Sequence, residues 1–132
     1  MKGTVMGHPV VHFEIVGSDT KTLRDFYAQA FDWQIEQMPS DGGIDYAMAR
    51  PGGEHGINGG IGAGMDPTQS YVTFYVEVPD IDAMLAKIQS LGGSTVMPAM
   101  DVPNGPRIAM AKDPGGHLVG LIQSDSMAGS AG

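Results

Sequence analysis

The sequence repeats itself at an offset of 61 residues, and this repeat constrains the fold more than any other feature. Val11 falls on Val72, Phe13 on Phe74, Ile15 on Val76 and Asp19 on Asp80. Further along, Leu23 falls on Met84, Tyr27 on Ile88, Ala30 on Leu91, Ile57 on Leu118, Gly59 on Gly120 and Ile61 on Ile122. Scattered apolar matches arise by chance, but a repeated capping aspartate, a repeated glycine and one register through both halves do not come so easily. The chain is therefore read as two copies of one unit.

Each copy begins with a strand and a helix. Val10 to Val16 alternates, with Val11, Phe13 and Ile15 on an apolar face and His12 and Glu14 on the other. Gly17 to Asp19 ends the strand, and Ser18 or Asp19 supplies an oxygen for the free amides of a following helix. That helix carries Leu23, Phe26, Tyr27 and Ala30 at helical spacing, with Leu23 and Phe26 expected against the sheet and Trp33 just after it as a packing anchor. Short strands are predicted over 34–38, 44–49 and 57–61, separated by the turns 39–43 and 51–56. The second copy opens with the strand 71–78, in which Val72, Phe74, Val76 and Val78 alternate with Tyr71, Thr73, Tyr75 and Glu77. Asp80 caps a helix whose stripe is Ile81, Met84, Leu85, Ile88 and Leu91, and Gly92-Gly93 stops it. Strands 94–97, 107–111 and 118–122 follow, with turns at Asn104-Gly105 and 113–116.

The predicted architecture is α+β: two βαβββ modules in tandem, forming facing concave sheets with the helices outside. Module one spans about 9–62, a linker about 62–70, and module two about 71–124. Residues 1–8 and 125–132 are expected to be a disordered leader and tail, since neither stretch has apolar periodicity.

Composition removes several classes of function. A formal charge of −8 with only seven Lys and Arg argues against nucleic-acid binding. No cysteine is present, so disulfides, thiolate metal sites and cysteine nucleophiles are excluded. No apolar run reaches the roughly 18 residues of a membrane helix, and the expected setting is soluble and cytoplasmic, with no membrane partner. The region 52–64 is glycine-rich but has no Gly-Lys-Ser/Thr ending, so a phosphate loop is not expected. Ten methionines suit ordinary core filling or adaptable packing around a cavity.

With Val-Val-His-Phe-Glu-Ile, Asp-Phe-Tyr-Ala-Gln-Ala-Phe-Asp-Trp, Ile-Asn-Gly-Gly-Ile and Asp-Pro-Gly-Gly-His in view, the chain resembles the vicinal oxygen chelate superfamily over roughly 9–124. That group includes glyoxalase I, bleomycin-resistance proteins and extradiol dioxygenases. The resemblance implies a cavity whose centre, in metal-dependent relatives, holds a divalent cation on four side chains. Those places map to His12, Gly59, Thr73 and Gly120, of which only His12 is a good ligand. A shift of one residue would offer Gly60, or Val119 or Leu121, and no better donor. The expectation is a site with no metal and no other cofactor, and glyoxalase I activity is not expected. The alternative is a displaced metal held by His12, Glu14 and Glu77.

The predicted function is small-molecule binding in a concave cavity lined by His12, Glu14, Tyr46, Asn58, Thr73, Tyr75 and Glu77. By the offset, Thr73 should face His12 and Tyr75 should face Glu14, while Gly59 and Gly120 leave volume. The alternative is a metal-free lyase or isomerase in which His12 and Glu14 are the catalytic acid and base. His8, His55 and His117 are expected in turns or at the surface. The resemblance also implies a homodimer.

Overall fold

In the computed structural model, residues 7–39, 45–64, 66, 68–102 and 105–124 are described. The leader up to Met6, the turn residues Ser40 to Gly43, Asn104 and the tail from Asp125 fall outside them. The elements follow in the order β1 (Val10–Val16), α1 (Thr20–Phe31), β2 (Gln34–Gln37), β3 (Tyr46–Arg50), β4 (Gly59–Gly62), β5 (Tyr71–Val78), α2 (Ile81–Ser90), β6 (Ser94–Asp101), β7 (Arg107–Lys112) and β8 (Leu118–Gln123). This is the βαβββ order twice over. The chain divides into two compact units, Val11–Phe74 and the residues from Tyr75 onward with those before Val11.

In the first unit the sheet order is β2-β3-β4-β1. β1 runs parallel to β4, and the other pairs are antiparallel. Ile15, Ala49 and Ile61 form its buried core, with Phe13, Leu23, Tyr27, Trp33 and Ile35 packed against them. Burying an isoleucine of this kind stabilises the fold by about 1.5–3 kcal/mol. α1 is capped by Asp19, whose carboxylate accepts the Thr22 N–H at 3.1 Å, and it ends at Asp32 in the left-handed region with φ 59°. Phe26 departs from expectation, being 57% exposed. Leu23 and Tyr27, four apart, hold the sheet-facing stripe, and Phe26 is left at its margin, edge-on to Tyr27 at 4.9 Å between ring centres.

The second unit repeats the topology: β5 is parallel to β8, β8 antiparallel to β7, and β7 antiparallel to β6. Val78, Ile81, Leu85, Ala109, Ala111 and Leu121 are its core. Asp80 caps α2 through the Ala83 N–H at 3.1 Å, and Gly92 takes φ 99° just past the helix, a backbone state costly for any side chain. Leu91, expected in the buried stripe, is 67% exposed because the helix has already ended at Ser90. Val72 and Phe74 are also exposed. β6 runs four residues past its predicted end, through Pro98, with register shifts on either side of Met97. An edge strand tolerates proline and bulges because one side of its ladder is unpaired.

One correction bears on function. β4 begins at Gly59, with Ile57 exposed before it. Phe13 pairs with Gly59 and Glu14 with Gly60, whereas Tyr75 pairs with Gly120. Tyr75 corresponds to Glu14, so Gly120 corresponds to Gly60, and the offset drops to 60 in the last strand. A slip of one residue turns every side chain to the opposite face. Ile61 and Leu121, 60 apart, are both buried in their cores.

Candidate functional site

β1 sorts its side chains as the alternation predicts. Phe13 and Ile15 meet α1, and His12 and Glu14 take the other face. On that face of the first unit two tyrosines approach them. His12 Nε2 lies 2.7 Å from the Tyr46 hydroxyl, with the two rings nearly parallel at 19° and 6.4 Å between centres. Burial pushes the His12 pKa below its ordinary 6.5, so the imidazole is neutral at pH 7. A neutral imidazole has one donor and one acceptor nitrogen, so the pair joins as O–H···Nε2 or as Nε2–H···O according to tautomer.

Glu14 is buried, 8% exposed. A carboxylate withdrawn from water needs donors, and the Tyr71 phenol donates to it. Burial, the Glu14 charge and this hydrogen bond push the Tyr71 pKa up to about 12. Tyr71, at the start of β5, is thus a donor to Glu14 within the first unit. Tyr71 was legible only as one member of the polar face of β5, and nothing in its spacing set it apart.

The glycines of β4 explain how Tyr46 reaches His12. A Cβ at Gly60 would coincide with the Tyr46 hydroxyl and ring edge, and one at Gly62 would lie 2.6 Å from Tyr46 Cδ1. The tyrosine ring therefore lies along a lane of missing side chains. Gly59 plays a different part from the one expected: its missing side chain faces the core, where the Phe13 ring fills the space. In the second unit the Tyr75 ring fills the space beside Gly120, with 2.6 Å from Cδ2 to a built Cβ. Neither glycine opens volume for a ligand.

The remaining predicted residues divide. Thr73 is buried at 4% exposure, on the same alternate positions of β5 as Tyr71. Asn58 is exposed, ahead of the first residue of β4. Tyr75 is buried and Glu77 half-buried within the second unit. His8 and His55 are exposed, and His117 sits in the turn after β7 with Nδ1 3.2 Å from Asp113. Among the described residues no group of three or more His, Asp or Glu could hold a metal ion. With Gly60 in place of Gly59, the donor set implied by the resemblance still fails to fit a divalent cation.

A cavity of about 340 Å³ in the first unit lies at the end of β1, lined by Ile15, Asp19, Leu23, Tyr71 and Val72 among others, and of His12, Glu14, Tyr46, Tyr71 and Thr73 only Tyr71 borders it. Its apolar floor belongs to the helix side of the sheet. The polar cluster is thus a surface of neutral hydrogen-bonding groups around one buried carboxylate, able to orient a small molecule and to exchange a proton with it.

The family model of the Glyoxalase/Bleomycin resistance protein/Dioxygenase superfamily matches residues 10–121. The putative glyoxylase CFP32 of Mycobacterium tuberculosis is 32% identical over 120 residues, 86% of this chain and 44% of that protein. The anthracycline biosynthesis protein DnrV of Streptomyces peucetius is 26% identical over 131 residues, 89% of this chain and 48% of its own length. The chain thus spans less than half the length of these curated relatives. The crystal structure of methylmalonyl-CoA epimerase from Mycobacterium tuberculosis has the same fold, with a TM-score of 0.66 at 20% identity, covering 96% of this chain and 97% of that one.

Proposed function

This chain belongs to the Glyoxalase/Bleomycin resistance protein/Dioxygenase superfamily, and from that premise we propose that it binds a small organic molecule without a metal, on the face of β1 that carries His12 and Glu14. The observation that carries the reading is the pairing of each of these residues with a tyrosine hydroxyl, Tyr46 for His12 and Tyr71 for Glu14. A strand built only to fill a core has no use for a half-buried neutral imidazole beside a buried carboxylate.

The chemistry of the face favours an uncharged ligand with a hydrogen-bonding oxygen. None of His12, Glu14, Tyr46, Tyr71 and Thr73 is cationic at pH 7, and the chain as a whole carries −8. An anionic ligand would therefore meet Glu14 without compensation. The test is a two-dimensional NMR titration with uncharged carbonyl compounds such as cyclohexanone and with their carboxylate counterparts. The reading expects saturable shifts at His12 and Tyr46 with the former only. Shifts confined to other residues would overturn it.

A second reading, isomerase or lyase chemistry, draws support from buried Glu14 and from the fold shared with methylmalonyl-CoA epimerase. Glu14 would take a proton from carbon beside a carbonyl and return it, while Tyr46 donates to the carbonyl oxygen. Solvent deuterium incorporation into a bound carbonyl compound, abolished by His12→Ala with Glu14→Gln, is its signature. Incorporation that survives the double substitution would reject the mechanism.

We also propose a homodimer, supported by Phe26 and Phe31 standing exposed on α1. Sedimentation as a monomer at micromolar concentration would defeat it.

A further inference from the structure

We infer that Asp45 is a positioning residue for the His12–Tyr46 pair, acting through the start of β3 without touching a ligand. Three side chains converge on its carboxylate: the Thr20 hydroxyl at 2.5 Å, the Gln37 amide at 2.8 Å and the Arg24 guanidinium at 3.6 Å. They come from α1 and β2, elements that carry none of the polar face. The backbone adds to the tie. The Asp45 carbonyl accepts the Ala63 N–H at 2.9 Å, and the Tyr46 carbonyl accepts the Met38 N–H at 2.9 Å and the Gln37 amide at 3.2 Å.

These contacts fix one end of Tyr46, and its hydroxyl is the other. Between the two, the ring rests on Gly60 and Gly62, where the Asp45 carbonyl would stand 2.7 Å from a Cβ on Gly62. The ring cannot slide along its lane while the backbone at 45 and 46 is held. Its hydroxyl is thereby delivered to His12 Nε2.

Asp45 is also difficult to replace. Arg24 Nη1 is buried and makes no hydrogen bond, so Asp45 at 3.6 Å is the negative charge that balances it. The Thr20 hydroxyl first, then the Gln37 amide, hold the Asp45 carboxyl below the ordinary carboxylate range.

The inference rests on the reading of His12 and Tyr46 as ligand-facing groups, but its test needs no ligand. The side-chain ¹⁵N resonances and the pKa of His12 are followed by NMR in the full chain and in Asp45→Ala, Tyr46→Phe, Thr20→Val and Arg50→Ala. Tyr46→Phe sets the signature of a lost hydroxyl: the Nε2 resonance moves and the His12 pKa shifts, upward if the Tyr46 O–H donates and downward if Nε2–H does. Asp45→Ala should give the same direction of change in both. Thr20→Val should give a smaller change, and it decides the question if Asp45→Ala fails to fold. Arg50→Ala removes the exposed Glu36 pair at the far end of β3 and should leave His12 alone. An unmoved His12 in Asp45→Ala and Thr20→Val, with Tyr46→Phe moving it, overturns the positioning role and leaves the proposed site standing. An unmoved His12 in Tyr46→Phe overturns the pair itself.

Discussion

Gly60→Ala is the smallest change that tests why the first unit has a glycine lane. A methyl at this position would occupy the place of the Tyr46 hydroxyl and ring edge. The ring cannot retreat toward Gly62, where its Cδ1 and the Asp45 carbonyl already close the space. It must therefore leave the sheet, losing the His12 hydrogen bond, worth about 0.5–1.5 kcal/mol. The displaced packing adds about 1–3 kcal/mol of overpacking cost. Alanine also gains about 0.5–1 kcal/mol over glycine within a strand. The net loss is about 0.5–4 kcal/mol. Urea denaturation of wild type, Gly60→Ala, Tyr46→Ala and the double variant completes a thermodynamic cycle. If the clash is with Tyr46, Gly60→Ala becomes neutral or slightly stabilising once Tyr46 is alanine. Equal losses in both backgrounds, or a Gly60→Ala protein with wild-type stability and an intact His12–Tyr46 bond, would refute the reasoning.

Other expectations follow from the same geometry. The folded pKa of Tyr71 is raised to about 12 from an ordinary 10, so its contribution to stability is complete below pH 10 and is lost as pH rises toward 12. Glu14→Gln removes the charge, though not the burial, and a spectrophotometric titration should find Tyr71 ionising earlier; an unchanged curve would deny the contact. His12 has its folded pKa lowered, so its contribution is present above pH 6.5 and is lost as pH falls below that value. Urea melts of wild type and His12→Asn should diverge as pH falls below 6.5. Asp80→Ala removes the α2 cap and should cost about 1 kcal/mol, visible as a lower urea midpoint with unchanged slope.

The fold was legible because it rests on local signals that occur twice. Asp19 and Asp80 cap their helices, and Gly92 takes positive φ just past α2. The misreadings have physical causes. Phe26 and Leu91 fit a helical stripe by spacing, but spacing does not say where the stripe's margin lies or where the helix ends. Glycine carries no facing information of its own, so the one-residue slip that separates Gly59 from Gly120 shows only in the strand register. At the site, His12 and Glu14 were nameable from the alternation of β1, and Tyr46 only as a residue whose face the sequence left open. Their partners were not, because Tyr71 and the Asp45 anchor are joined to them by tertiary contacts that no periodicity encodes.

The central claim is that His12 serves as a neutral hydrogen-bonding group in a small-molecule site and not as a metal ligand. The most direct measurement is the ¹⁵N spectrum of the His12 imidazole in tag-free protein, as purified, after chelation, and with one equivalent of Zn²⁺, Ni²⁺ or Mn²⁺. The expected result is a neutral, hydrogen-bonded imidazole that all of these treatments leave unchanged. Stoichiometric metal in the purified protein, with His12 resonances that move when it is removed and return when it is restored, would contradict it.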